Sequence, residues 1–137
     1  MSRSRLPSPT CREIPVLLVD DDPSFRLGLS GALGDDGHEV FAFALPAEVP
    51  ENGRLLDITL LVTDYEMPGE NGVAFADRFH AARPEAPVVL MTAFRTHAVE
   101  AQAAVRPFLT VLSKPLDYDQ FHTLLHELIA SGPLATR

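Results

Sequence analysis

The chain is poor in cysteine, in basic residues and in long apolar runs. Its one thiol, Cys11, cannot close an internal disulfide, so the fold must rest on its core, and the reducing cytoplasm is the expected compartment. Eleven Lys and Arg stand against nineteen Asp and Glu, a formal net charge of −8. That balance argues against direct nucleic-acid binding, which needs clustered Lys and Arg to release counterions. No apolar stretch approaches the ~20 residues that cross a bilayer, and no hydrophobic region follows the basic start at Met1 to Thr10. Neither a membrane anchor nor an export signal is expected.

What is present suits one domain. At 137 residues and 46% hydrophobic, the chain can fill a single core. Residues 1–12, rich in Ser, Arg and Pro, lack apolar periodicity and are expected to form a flexible arm. The domain proper is expected over residues 13–130, and Ser131-Gly132-Pro133 opens a tail, 131–137.

Short apolar runs alternate with amphipathic segments. Ile14 to Val19, Val40 to Phe43, Ile58 to Val62, Val88 to Met91 and Phe108 to Leu112 predict five strands. Runs such as Val16-Leu17-Leu18-Val19 lack in/out alternation, the mark of a parallel sheet covered on both faces. Five helices are expected between and after them. The first opens with Asp22 as N-cap and Pro23 at the first position, carries Phe25, Leu29, Ala32 and Leu33, and ends near Gly34 and Gly37. The others are Pro46 to Asn52, Gly72 to Ala82, Thr96 to Val105, and a last one capped by Asp117 with Gln120. The predicted fold is α/β and flavodoxin-like, a doubly wound five-stranded parallel sheet of order 2-1-3-4-5.

Sites in such sheets form beyond the carboxyl ends of the strands. Those ends are polar here: Asp20-Asp21-Asp22, Asp64, Thr92 and Ser113-Lys114-Pro115. Asp20, Asp21 and Asp64 are expected side by side, and two carboxylates ~4 Å apart repel by about 4 kcal/mol at an effective dielectric of 20. Lys114 supplies one compensating charge. The remaining deficit and the oxygen-only donors suit Mg2+. A carboxylate so placed can attack phosphorus, with Lys114 neutralising one phosphoryl oxygen and the Thr92 hydroxyl donating to another.

The stretches Leu17-Leu18-Val19-Asp20-Asp21-Asp22, Thr63-Asp64-Tyr65-Glu66-Met67-Pro68-Gly69, Leu90-Met91-Thr92-Ala93 and Ser113-Lys114-Pro115 together resemble the signatures of response-regulator receiver domains of two-component phosphorelays. The likeness runs from about Ile14 to Ala130 and includes Gly72. It implies phosphorylation of Asp64 by a histidine kinase or histidine phosphotransfer protein. It further implies Mg2+ on Asp20 (through water), Asp21, Asp64 and the backbone carbonyl of Glu66. Thr92, its neighbour Ala93 and Lys114 become phosphoryl contacts and switch elements, and Lys114-Pro115 is expected cis. Glu66 and Phe94 take the positions that tune dephosphorylation. A downstream output protein or domain would read the face made by the fourth helix, fifth strand and last helix.

Two departures stand out. Val111 occupies the position where the family has an aromatic switch, and Val105-Arg106-Pro107 replaces a common Gly-Ala turn in a segment about two residues longer. Phe94 or Phe108 is expected to do the repacking instead.

Single features also have plainer explanations. Asp20-Asp21-Asp22 alone is a solvated helix start, Thr92 alone a strand-end hydroxyl, and Lys114-Pro115 alone a turn. His122 and His126 share helical spacing but are expected to face solvent. The competing functions are a phosphatase similar to the haloacid dehalogenases, with Asp20 as nucleophile, and a pseudo-receiver that binds without being phosphorylated. A receiver excised from a longer regulator or hybrid kinase would share the same chemistry, and the protein is expected to be a phosphoacceptor rather than an enzyme.

Overall fold

A computed structural model describes residues 13–50 and 57–130. The expected arm at 1–12 and tail at 131–137 lie outside the described residues. The elements are β1 (Pro15–Val19), α1 (Pro23–Asp35), β2 (Glu39–Phe43), a 3-10 turn (Pro46–Glu48), β3 (Leu60–Asp64), α2 (Gly72–Ala82), β4 (Val88–Thr92), α3 (His97–Ala104), β5 (Leu109–Ser113) and α4 (Tyr118–Ala130). All four strand pairs are parallel, in the expected order β2-β1-β3-β4-β5.

Strand pleating divides the core into two layers. Leu17, Val19, Leu61, Val88, Leu90 and Val111 pack with α2 and α3 residues such as Val73, Phe79 and Val99. Val16, Leu18, Leu60, Val62, Val89 and Met91 face the opposite way, against Leu29 and Leu33 of α1 and Phe121 and Leu125 of α4. Two-sided burial explains why the strands read as unbroken apolar runs. Burying Phe79 and Phe121, both nearly inaccessible, contributes about 1.5–3 kcal/mol each.

The helices begin where capping chemistry puts them. Asp22 Oδ1 accepts the backbone N–H groups of Ser24 and Phe25, with Pro23 at the first position. Asn71, Thr96 and Asp117 accept from Ala74, Val99 and Gln120 in the same way. Gly37, at φ +94°, turns the chain from α1 into β2, a conformation that excludes most side chains.

Two expectations need correction. The helix expected from Pro46 to Asn52 is, over its described residues 46–50, a single 3-10 turn ending at Glu48, while 51 and 52 lie outside the described residues; the described residues hold four α-helices rather than five. Pro50 disfavours helical backbone at the residue before it, and Val49 is extended at φ −76°, ψ 124°. His122 and His126 do not face open solvent. Both are half-buried, and His122 lies between His38, Tyr118 and His126 with Asp36 at 3.5 Å. The partner that draws them in, His38, is 84 residues away in sequence.

His38 is fixed as a neutral ring. The buried Ile14 N–H donates to Nδ1 at 3.1 Å, so Nδ1 carries no proton, and Nε2 faces His122 Nε2 at 3.4 Å. Burial and the neighbouring His122 push the His38 pKa below 6.5, while Asp36 pulls it up, His126 lowers it further and Glu13 raises it. A depressed folded pKa means the unfolded chain takes up the proton first. Stability from this group is therefore complete above pH 6.5 and lost as pH falls, by at most about 1.4 kcal/mol per pH unit. In urea melts at pH 7.5 and 5.5, wild type is expected to lose more stability than His38→Asn, whose side-chain oxygen can still accept from Ile14; equal losses would contradict this.

Candidate functional site

β1, β3, β4 and β5 end side by side and deliver Asp20, Asp64, Thr92 and Lys114 to one edge of the sheet. Backbone bonds that continue past the strands hold those ends together: Asp20 N–H donates to the Phe43 carbonyl, Tyr65 N–H to that of Met91, and Lys114 N–H to that of Thr92. The Lys114-Pro115 peptide is cis, as expected.

Asp20 is inaccessible to solvent and fully engaged. Its Oδ1 accepts from the Asp22 N–H at 2.9 Å, its Oδ2 meets Lys114 Nζ at 2.8 Å, and its carbonyl accepts from Arg26 Nη1 at 2.7 Å. Asp64 is 5% exposed, with Oδ1 at 3.4 Å from the same ammonium. Asp21 is exposed. One carboxylate oxygen from each of the three lies within 4.8 Å of the others, and among the described residues this is the one cluster able to hold a metal ion.

The electrostatics follow from that crowding. Burial, and then the charge of Asp20, push the Asp64 pKa up to about 6; Lys114 opposes this, and Asp21 adds to it. Burial alone would lower the Lys114 pKa, but the hydrogen bond and charge of Asp20 and the charge of Asp64 outweigh it and raise the value. Lys114 is thus a secure cation, and Asp64 a carboxylate short of compensation.

Around this pair the loops are tightly specified. Gly72 N–H donates to the Tyr65 carbonyl at 2.8 Å, closing the loop after Asp64. A Cβ at Gly72 would collide with the Asp64 carbonyl oxygen and with Leu90 Cδ1, so only glycine fits. Buried Thr92 sits at the end of β4, its hydroxyl occupied at 3.1 Å by both the N–H and the carbonyl of Phe94. Phe94 itself is 68% exposed. Ala93 and Glu66 are exposed beside the cluster, and Val111 is buried in the core.

Two residues were not singled out for the site from sequence. Arg26 braces the Asp20 carbonyl, and the Phe25 ring lies under Lys114 Nζ, 4.4 Å from ring centroid to nitrogen. Their signal is position alone: both fall in the first turn after the acidic segment.

A buried carboxylate with a raised pKa is a source of instability above that pKa. Asp64→Asn is expected to stabilise the metal-free protein at pH 7.5, by on the order of 1–3 kcal/mol. The gain should shrink as pH falls from about 6 toward 3.8, where wild-type Asp64 becomes protonated in both states. Thermal melts in EDTA across pH 7.5 to 5 check this; a variant no more stable than wild type at pH 7.5 would contradict the charge imbalance.

Comparison with known proteins agrees with this fold. The family model for the response regulator receiver domain matches residues 16–126. The DNA-binding transcriptional regulator NtrC of Escherichia coli (strain K12) is 32% identical over 115 residues, an alignment covering 84% of this chain and 24% of that protein. The chain thus spans about a quarter of the length of the curated relatives it matches. Among solved structures, chemotaxis protein CheY4 of Vibrio cholerae superposes with a TM-score of 0.76 at 22% identity, covering 85% of this chain and 99% of that one. TrrA of Thermotoga maritima, in complex with Mg(2+)-BeF, gives 0.72 at 23% identity, covering 84% and 98%. At such identities the structural likeness speaks for the fold, and the family match carries the assignment. The chain belongs to the response regulator receiver domain family, phosphoacceptor modules of two-component signalling.

Proposed function

We propose that Asp64 is the phosphoacceptor and that its phosphorylation, by a histidine kinase or histidine phosphotransfer protein, changes how the domain meets an output partner. The observation that carries this is the site's unequal charge: three carboxylates cluster together, and the one ammonium beside them meets Asp20 at 2.8 Å but Asp64 only at 3.4 Å, so buried Asp64 is left under-compensated. Asp20 is poorly suited to be the nucleophile of a phosphatase, because both its carboxylate oxygens are already hydrogen-bonded.

The donor set fits a hard divalent cation: all oxygen, in excess negative charge, with exposed Asp21 leaving one side open to water. Asp20 (through water), Asp21, Asp64 and the Glu66 carbonyl would hold Mg2+, which when bound offsets charge on the transferring phosphoryl group. The chain's own groups do the rest. An Asp64 oxygen attacks phosphorus, an acyl phosphate bond forms, and the bond to the donor's nitrogen or oxygen breaks with its electron pair leaving on the donor. Lys114, 3.4 Å from Asp64 and held by Asp20, is placed to meet a phosphoryl oxygen.

Thr92 is the element with two alternatives. Its hydroxyl closes the turn with Phe94, and donating to a phosphoryl oxygen would break the bond to the Phe94 carbonyl. That would free the segment leading into α3. Val111 offers no ring for a switch, and Phe108 lies at the far end of the sheet, accepting from Val88 and stacked on His80 at 3.9 Å. The repacking role therefore falls to Phe94 and the α3–β5–α4 face. The curated relatives are DNA-binding regulators several times longer, whereas the −8 charge of this chain favours protein partners for these residues.

The direct test is intact mass after incubation with acetyl phosphate and Mg2+. Wild type should gain one phosphoryl mass and Asp64→Asn none. If neither does, Mg2+-dependent binding of beryllofluoride separates an intact but unreactive site from a pseudo-receiver. The exposed ring of Phe94 and the carboxylate of Glu66 flank the approach of hydrolytic water. Phe94→Ala should shorten the phosphate lifetime several-fold, and an unchanged lifetime would remove Phe94 from that role.

A further inference from the structure

The ammonium of Lys114 is contacted from a third side by something other than a carboxylate. Nζ reaches Asp20 Oδ2 at 2.8 Å and Asp64 Oδ1 at 3.4 Å, and it lies 4.4 Å from the centre of the Phe25 ring. The Lys114 side chain is only 18% exposed, so the ring meets a cation that has already lost much of its water. Cation–π attraction is strongest under that condition.

The placement of the ring is built into the same segment that supplies the acids. Asp22, next to Asp20 and Asp21, caps α1 by accepting the N–H groups of Ser24 and Phe25. The cap fixes the backbone of Phe25 one turn from the carboxylates. Arg26, the next residue, ties back to the Asp20 carbonyl and locks that turn in register. Phe25 does not enter the inner core as Leu29 and Leu33 do; it is half-buried and borders a surface groove between α1 and the start of α4, with Leu116 and Tyr118.

We propose that Phe25 is a positioning residue for phosphoryl transfer, its ring face holding the Lys114 ammonium over Asp64 while leaving it free to turn. This rests on Asp64 being the phosphoacceptor. The reason a ring suits the task is directional. A third carboxylate would bind the ammonium through a fixed hydrogen bond and would deepen the negative charge that a phosphoryl donor must approach. A π face attracts the cation without claiming an N–H, so Lys114 can exchange its long contact with Asp64 for a phosphoryl oxygen at no loss to the ring. The ring also covers the α1 side of Nζ, where water would otherwise hydrate the ammonium.

The test varies the ring's charge distribution at constant shape. Wild-type protein is first shown to take up phosphate from acetyl phosphate with Mg2+; failure there, together with no Mg2+-dependent binding of beryllofluoride, would overturn the phosphoacceptor assignment itself, before Phe25 is in question. Phosphorylation rates are then measured for Phe25→Leu, for Phe25→Tyr, and for a protein with 3,4,5-trifluorophenylalanine at position 25. Cation–π strength at a part-buried site predicts a loss of roughly threefold to thirtyfold in Phe25→Leu. The fluorinated ring should lose a similar amount, since its shape is kept and its negative face removed, and Phe25→Tyr should restore the rate. Mg2+ affinity should stay within about twofold, and Phe25→Leu should have no further effect in a Lys114→Ala background. A fluorinated protein that reacts at the wild-type rate, or a Phe25→Leu effect undiminished without Lys114, would overturn the proposal and leave Phe25 as packing alone.

Discussion

The structure depends on one electrostatic imbalance: three carboxylates gathered at the carboxyl edge of a parallel sheet against a single ammonium. Parallel strands put their ends together whatever those ends carry, so the fold brings the charges close and the surroundings must make that tolerable. Asp20 is neutralised by Lys114 and by backbone N–H, and Arg26 braces its carbonyl. Gly72 lets the loop after Asp64 close where a side chain would collide with the Asp64 backbone. What remains under-compensated is Asp64, with a pKa pushed to about 6. A residue that is costly to keep charged when alone is well suited to gain from a cation or a transferred group.

The same site has a mechanical side. The Thr92 hydroxyl is spent on a local turn rather than on the core, so it can be drawn away without opening a buried cavity. The segment beyond it is loosely attached by design of its contacts. α3 is eight residues long and Val99 is its one buried residue. It is held instead by polar ties: Gln102 donates to the hydroxyl of Tyr65, the residue after Asp64, and Arg106, just beyond α3, pairs with Asp77 of α2. Such ties are worth little individually, which would leave α3 able to shift if Thr92 changed partner as proposed.

Much of this was legible in the sequence. The sheet order and its two-sided burial follow from continuous apolar runs separated by helical patterns, and Asp20, Asp21, Asp64, Thr92 and Lys114 stood out because each polar residue ends an apolar run. The failures have physical causes. Pro46 signalled a helix start, but Pro50 four residues later stops it at one 3-10 turn. His122 and His126 looked solvent-facing because their buried partner, His38, comes from the other end of the chain. Phe25 looked like an ordinary core position of α1, since nothing local reveals that Lys114 folds over it across 89 residues. Periodicity reports which face is apolar and is silent about which long-range cation sits on that face.

The central claim is that Asp64 lies in a site short of positive charge, and carbon-13 NMR of its carboxyl group through a pH titration tests it most directly. The account predicts a midpoint near 6 in EDTA, moving well down when Mg2+ is added. An ordinary midpoint near 3.8 under both conditions would contradict it.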